Sequence, residues 1–191
     1  MVDDRLWRKT RTPGTVCDGV DPNRNFDYNW RVIGASSWQC AQNYAGYAAF
    51  SEPETQVIRD YTLANKDNIK LYLAIHSQGQ WLLYPWGHTT DEPDNSEELN
   101  VLGNRFKDAV YAVDGTNYTV GSTANLLYFA AGTSVDWAKG IADIDLGYTI
   151  ELPGGGDYGW DLPAERIDPV VKETWEGIKA LHGYIQEKFA N

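Results

Sequence analysis

The apolar positions of this chain fall into a few short runs and two long stripes. Leu71 to Ile75 is an unbroken apolar run; it predicts a buried strand over 69–75, and it ends on His76. A second run, Trp81 to Tyr84, predicts another strand, and "GYTIEL" (Gly147 to Leu152), β-branched and aromatic, predicts a third. Helical patterns lie around them. Ser51-x-x-Glu54, with Pro53 in the first turn, has the form of a capping box and predicts a helix from there to about Asn65. Asn95-x-x-Glu98 resembles a second cap, opening a helix through "LNVLGNRFKDAVYAV". From Pro169 to Phe189, Val170, Val171, Trp175, Ile178, Leu181, Ile185 and Phe189 recur at helical spacing. Residues 1–50 are rich in Gly, Asn, Trp and Tyr without clear period, and read as long ordered loops. Strands alternating with helices predict an α/β domain over 1–191: a mixed, largely parallel sheet covered by helices on both faces. Functional groups in such folds gather at the carboxyl ends of strands. His76 and Glu151 both fall there.

Composition narrows the partners. The 191 residues are 42% hydrophobic, enough for a packed core, and no apolar run approaches a membrane span. With 27 acidic against 16 basic side chains the net charge is −11, so nucleic acid is not an expected partner. "RLWRKTR" (Arg5 to Arg11) is a basic cluster on that acidic background, and its simplest reading is a solvated run. The amino-terminal residues lack the apolar stretch of a signal peptide. Cys17 and Cys40 allow either a bridge, worth roughly 3 kcal/mol, or two buried thiols. The sequon Asn117-Tyr118-Thr119 leans toward secretion, as a bridge would.

Individual residues leave two readings open. A carboxylate at the end of an apolar strand, before the Gly-rich "PGGG", suits a general base; a salt-bridged or solvent-facing Glu151 fits the same pattern. His76 reads as a hydrogen-bonded core histidine or a metal ligand. His88-Thr-Thr-Asp91 reads as a solvated turn, and His182 as packing or surface. No CxxC, HExxH or G-x-S-x-G occurs.

Eight segments, in order, change the weighing: "RLWRKTR", "GVDPNRNF", "GASSWQC", "YAGYAAFSEPE", "IHSQGQWLLYPWG", "SVDW", "TIEL" and "YGW". Together they resemble the zinc metallocarboxypeptidases of the carboxypeptidase A/B type across nearly the whole chain. The resemblance implies a hydrolase that removes C-terminal residues from peptides. Glu151 matches the catalytic glutamate that takes a proton from water, and Arg8 the arginine that stabilises the oxyanion. His76 matches one zinc ligand of three; bound zinc lowers the pKa of its water to about 7. Asn23 and Arg24 match the pair that grips the substrate's terminal carboxylate. Tyr128 matches the tyrosine that closes over it, and Arg5 a secondary substrate arginine. Val135 matches the floor of the side-chain pocket, where an apolar residue implies apolar or aromatic C-terminal residues. Leu83, Gly87, Thr123, Leu127, Ala130 and Thr133 match its walls, and Trp160 an aromatic group beside the substrate. Gln78 departs from a tyrosine common in the family. Cys17 and Cys40 match the family's disulfide pair, and secretion follows.

The family's other two zinc ligands come from an H-x-x-E motif, which this sequence lacks. The chain is therefore expected to be the C-terminal portion of a catalytic domain. Zinc is expected only with the missing His and Glu, brought by a complementary N-terminal segment. The alternative is an inactive member or half-enzyme that binds peptide C-termini. A sheet without its first strands is expected to leave an apolar edge open.

Overall fold

The computed structural model describes residues 6–156 and 159–190. The chain enters through about 45 residues of loop, broken only by a 3-10 turn at Pro22–Arg24. Buried polar groups, not apolar periodicity, hold this loop. Asn25 is fully buried; its side-chain NH2 donates to the carbonyls of Ala45 and Ala48 and to Ser51 Oγ. Its Oδ1 accepts from Glu52 N and Thr55 Oγ1. The buried Glu52 carboxylate accepts from Thr10, Thr12 and Ser51 hydroxyls. Each polar atom of the Asn25 and Glu52 side chains finds a partner, which is the condition for burying them. Cys17 and Cys40 form a disulfide that closes a 23-residue separation in the same region.

Helix α1 (Pro53–Asn65) follows. Its cap residue is Glu52, and no side chain caps it. The capping box expected from Ser51 does not form, because Ser51 turns its hydroxyl to Glu52 and Asn25 instead. Strand β1 (Tyr72–Ser77) starts three residues later than expected and runs through His76. Strand β2 is Trp81–Tyr84, as expected. Helix α2 (Ser96–Asp114) has Asn95 at its cap position, but the Asn95 amide donates to the Asp145 carbonyl and leaves the helix uncapped by side chain. Strand β3 (Thr119–Ser122), helix α3 (Thr123–Leu126) and helix α4 (Ser134–Gly140) were not expected from pattern. Strand β4 is Gly147–Leu152. Helix α5 (Ala164–Phe189) begins five residues before the expected start and carries Pro169 within its second turn.

The sheet has the order β1-β4-β2-β3. β1 runs parallel to β4 and β2 parallel to β3, while β2 and β4 are antiparallel, so the sheet is mixed with two of its three pairings parallel. Helices cover both faces. On one face Leu82, Tyr84, Tyr148 and Ile150 pack with Leu99, Leu102, Phe106 and Val110 of α2 and Leu181 of α5. On the other, Trp137 and Ala138 of α4 form a second cluster with Phe26, Ala142 and Ile144, against Tyr72 of β1. Val170 and Leu181 of the α5 stripe are buried, but Val171 and Trp175 are exposed. The buried part of the stripe is narrower than the sequence suggested, because α5 packs mainly on α2. β1 ends the sheet. Ile75 on it, and Val57 and Tyr61 on α1, are more than half exposed.

Candidate active site

Strand alternation builds the site. In β4, Tyr148, Ile150 and Leu152 point to the α2/α5 core, so Thr149 and Glu151 point to the opposite face. In β2 the same rule sends Leu82 to the core and Trp81 and Leu83 to the site. The register sets His76 beside Glu151 and Glu151 beside Trp81. All three thus meet at the carboxyl end of β1 and β4. His76 Nδ1 lies 3.9 Å from Glu151 Oε1.

One cleft collects most of the residues expected from sequence. Arg8, His76 and Glu151 lie along it with Asn23, Arg24 and Tyr128. Its apolar end is formed by Leu83, Leu127, Ala130 and Val135, with Thr123 and Thr133, and Trp160 stands at the mouth. Gly87 is not in the lining. Its N–H donates to both oxygens of Asp136 (2.9 and 3.0 Å) and its carbonyl accepts from Ala130 N (2.7 Å), so it braces the wall from behind. Arg5 lies outside the described residues.

The electrostatics differ between the two ends. Burial pushes the Glu151 carboxyl up to about 7, against the opposing pull of the Arg8 guanidinium. Burial lowers His76, and Arg8 and Arg24 lower it further against an opposing pull from Asp21, so the net shift favours the neutral ring. Arg8 is itself tethered. Its Nε and Nη2 donate to Asp21 Oδ2 at 3.1 and 2.8 Å, and Asp21 is buried. The Arg8 side chain itself is 43% exposed, but Lys9 and Thr10 beside it are buried, so the run is not simply solvated.

Arg24 is only 5% exposed. Its Nε donates to the Gly34 carbonyl and its Nη1 to the Asn23 carbonyl. Tyr128 packs toward it, with the guanidinium 6.0 Å from the ring centre. Among the described residues no carboxylate forms an ion pair with it. Asn23 turns its Oδ1 to the Ser134 N–H at 2.9 Å, which fixes the amide with its NH2 available to the cleft. A buried cation and a fixed amide donor therefore face one cleft together.

The sequence profile of the zinc carboxypeptidase family matches residues 2–177. The chain belongs to this family. Carboxypeptidase B of Astacus astacus is 46% identical over 193 aligned residues, covering the whole of this chain and 64% of the relative. Zinc carboxypeptidase A 1 of Drosophila melanogaster is 44% identical, covering 93% of this chain and 42% of the relative. The solved structure of bovine thrombin-activatable fibrinolysis inhibitor, in complex with tick carboxypeptidase inhibitor, superposes with a TM-score of 0.93 at 32% identity, covering 97% of this chain and 64% of that one. The chain thus spans less than two thirds of these relatives' lengths.

The family implies zinc. The described residues offer His76 to such an ion, neutral and facing the cleft, as a ligand must be. They hold no group of three His, Cys, Asp or Glu arranged for a metal. Taken alone, this donor set does not fit the three protein ligands of an open catalytic zinc site.

One reading changes with the structure, and three lining residues were not expected. His88 is not in a solvated turn: its Nδ1 lies 3.1 Å from Asp136 Oδ2, inside a cage with Tyr28 and Trp86. Its partner lies 48 residues away in sequence, so no local pattern announces it. Trp81, Thr149 and Ser77 line the cleft and were missed. For Trp81 and Thr149 a signal existed: each stands two residues from an assigned site residue on the same strand, and so on the same face.

Proposed function

We propose that this chain supplies the substrate-binding and proton-transfer half of a secreted zinc-dependent exopeptidase that removes apolar or aromatic C-terminal residues from peptides. The observation that carries the reading is Arg24, a buried guanidinium without a carboxylate partner among the described residues, beside an apolar recess. An unpaired buried cation is costly unless an anion joins it. The terminal carboxylate of a peptide satisfies Arg24 and the Asn23 amide, while its last side chain enters the recess over Val135. This places the last peptide bond toward Glu151 and Arg8. Glu151, ionised near neutrality, takes a proton from the attacking water and hands it to the leaving amine. Arg8 meets the charge that develops on the carbonyl oxygen. Zinc, where the complete site holds it, would supply Lewis-acid polarisation, and His76 is the residue of this chain that would help to hold it.

The remaining metal ligands come, on this reading, from a complementary segment. Three features support it: His76 as the one imidazole among the described residues of the cleft, the relatives' greater length, and the open β1 edge beside exposed Val57 and Tyr61. After dialysis the 191-residue chain is expected to retain no stoichiometric zinc, as read by elemental analysis. Tight retention would overturn the need for ligands from a second segment. The disulfide supports secretion, because such bridges persist in oxidising compartments. No helix among the described residues is long and apolar enough to cross a membrane.

A second reading, a noncatalytic module that binds peptide C-termini, is favoured by the incomplete donor set. It needs Asn23, Arg24 and Tyr128 but neither Glu151 nor Arg8. Hydrolysis separates the two. The metal-complete protein is expected to release free Phe from a blocked peptide ending in Phe, whereas a binding module would hold it uncut.

Specificity is expected to follow the floor. Among the described residues lining the cleft Glu151 is the only acid, and Asp136, next to Val135, is turned to Gly87 and His88. A Lys or Arg end would therefore bury an unpaired charge, whereas Phe or Leu gains about 25 cal/mol per Å² of apolar surface buried. Wild type should prefer Phe to Arg ends by kcat/KM, and Val135→Asp should shift that ratio toward Arg. Faster cleavage of the Arg peptide by wild type would overturn the assignment.

A further inference from the structure

The sequon Asn117-Tyr118-Thr119 sits where α2 gives way to β3. α2 closes on Gly115, whose φ of 74° turns the chain away. The next residues are pinned on both sides of Asn117. The Thr116 hydroxyl donates to Glu173 Oε2 of α5 at 2.6 Å, and Glu173 is fully buried. Tyr118 is fully buried too, its ring edge-on to Phe106 at 5.3 Å. Gln80 fixes the backbone: its Nε2 donates to the Asn117 carbonyl, and its own carbonyl accepts from Thr119 N. Asn117 and Thr119 are exposed between these anchors. The loop is rigid in its backbone and open at the two side chains that define the sequon.

Register then places Asn117 relative to the cleft. Thr119 pairs with Trp81, Trp81 with Glu151, and Glu151 with His76. The sequon thus lies at the same end of the sheet as the cleft, two strands from Glu151. At about 4.8 Å per strand that is on the order of 10 Å.

We propose that Asn117 is an N-glycosylation site whose glycan stands at the rim of the cleft, beyond Trp81. The donor is an oligosaccharide carried on a lipid diphosphate. The Asn117 Nδ2–C1 bond forms as the C1–O bond to the diphosphate breaks; the lipid diphosphate leaves with the electron pair, and the amide loses one proton. The transfer precedes folding, so the fold must leave Asn117 in solvent, and it does. A glycan here crowds the approach of a folded protein's C-terminus more than that of a short peptide. The proposal rests on the secretory reading of the chain.

The test supplies entry to the secretory pathway independently. The chain is expressed behind a heterologous leader in a eukaryotic host, and both cells and medium are analysed. The expected result is a mobility shift removed by peptide-N-glycosidase F, with Asn117 converted to Asp in the mass spectrum. Asn117→Gln and Thr119→Ala should lose the shift, and Thr119→Ser should keep it. An unmodified chain with its Cys17–Cys40 bridge formed overturns the proposal. Whether the native gene directs secretion is read separately, from expression of its complete transcript. For the rim placement, wild-type protein is compared before and after glycosidase treatment. Deglycosylation should strengthen binding of a Phe carboxylate presented on a folded carrier several-fold, and leave that of a short peptide unchanged. Equal effects on the two would overturn the placement.

Discussion

Glu151→Gln is expected to stabilise the chain at pH 8 by up to about 3 kcal/mol, while leaving its stability at pH 4 nearly unchanged. The cause is burial. Glu151 sits with its side chain 13% exposed at the end of β4, and its carboxyl is pushed up to about 7 from an ordinary 4.5. Between those two values the folded chain keeps a proton that the unfolded chain has released. The folded state then binds more protons, so stability falls as pH rises through that window, and the full cost is present above about 7. A neutral amide of the same shape removes the titration and the cost. Urea unfolding from pH 4 to 9 reads it directly: the wild-type and variant curves should converge at the acid end and diverge above neutrality. Parallel curves would mean that Glu151 is solvated. The same burial gives the residue its proposed work, since a base is most effective when its pKa lies near the working pH. In the metal-complete protein Glu151→Gln should therefore lower kcat by roughly 10²–10⁴, with KM little changed. A variant both more stable and far less active is the signature of a site that holds strain for function.

What could be read from sequence depended on whether the deciding contact was local. β4, α2 and α5 are long or strongly patterned, and β2, though only four residues, is wholly apolar, so these four announce themselves. β3 is four residues, Thr-Val-Gly-Ser, and α4 is seven, Ser-Val-Asp-Trp-Ala-Lys-Gly; neither is long enough to show a period. α4 is instead set by the Thr133 hydroxyl, which accepts from Asp136 N, and by burial of Trp137. The cap of α1 failed for the opposite reason. The local signal at Ser51 was present, but a nonlocal network through Asn25 and Glu52 outweighed it. The residues that the cleft gathers were legible by their order along the chain and by strand ends. Gly87, expected in the pocket wall, holds the lining residue Ala130 through its carbonyl and is itself held by Asp136, a partner remote in sequence. His88 was misread because its partner is the same remote Asp136.

Replacing a terminal carboxylate by an amide is expected to weaken binding of a blocked Phe ligand by about 2–5 kcal/mol, which is roughly 30-fold to several thousand-fold. The acid completes an ion pair with a guanidinium that is otherwise buried with only backbone carbonyls on two of its nitrogens. The amide has the same shape and apolar side chain, so recess burial cancels in the comparison. It lacks the charge, and its NH2 faces the donors of Asn23 and Arg24. The binding measurement needs no catalysis and can be made on the chain alone by titration calorimetry. Arg24→Met should bring acid and amide to nearly equal affinity, because the discriminating partner is gone. That variant also loses the bonds to the Gly34 and Asn23 carbonyls, so its stability should fall, and its melting must be followed in parallel. Arg24→Lys separates the two effects. It keeps a cation but not the planar fork that meets a carboxylate with two parallel hydrogen bonds, so discrimination should be only partly restored. Equal binding of acid and amide by the folded wild-type chain would remove Arg24 from the role proposed for it. The buried cation would then be a structural prop of the 23–34 loop, and the exopeptidase reading would lose its principal support.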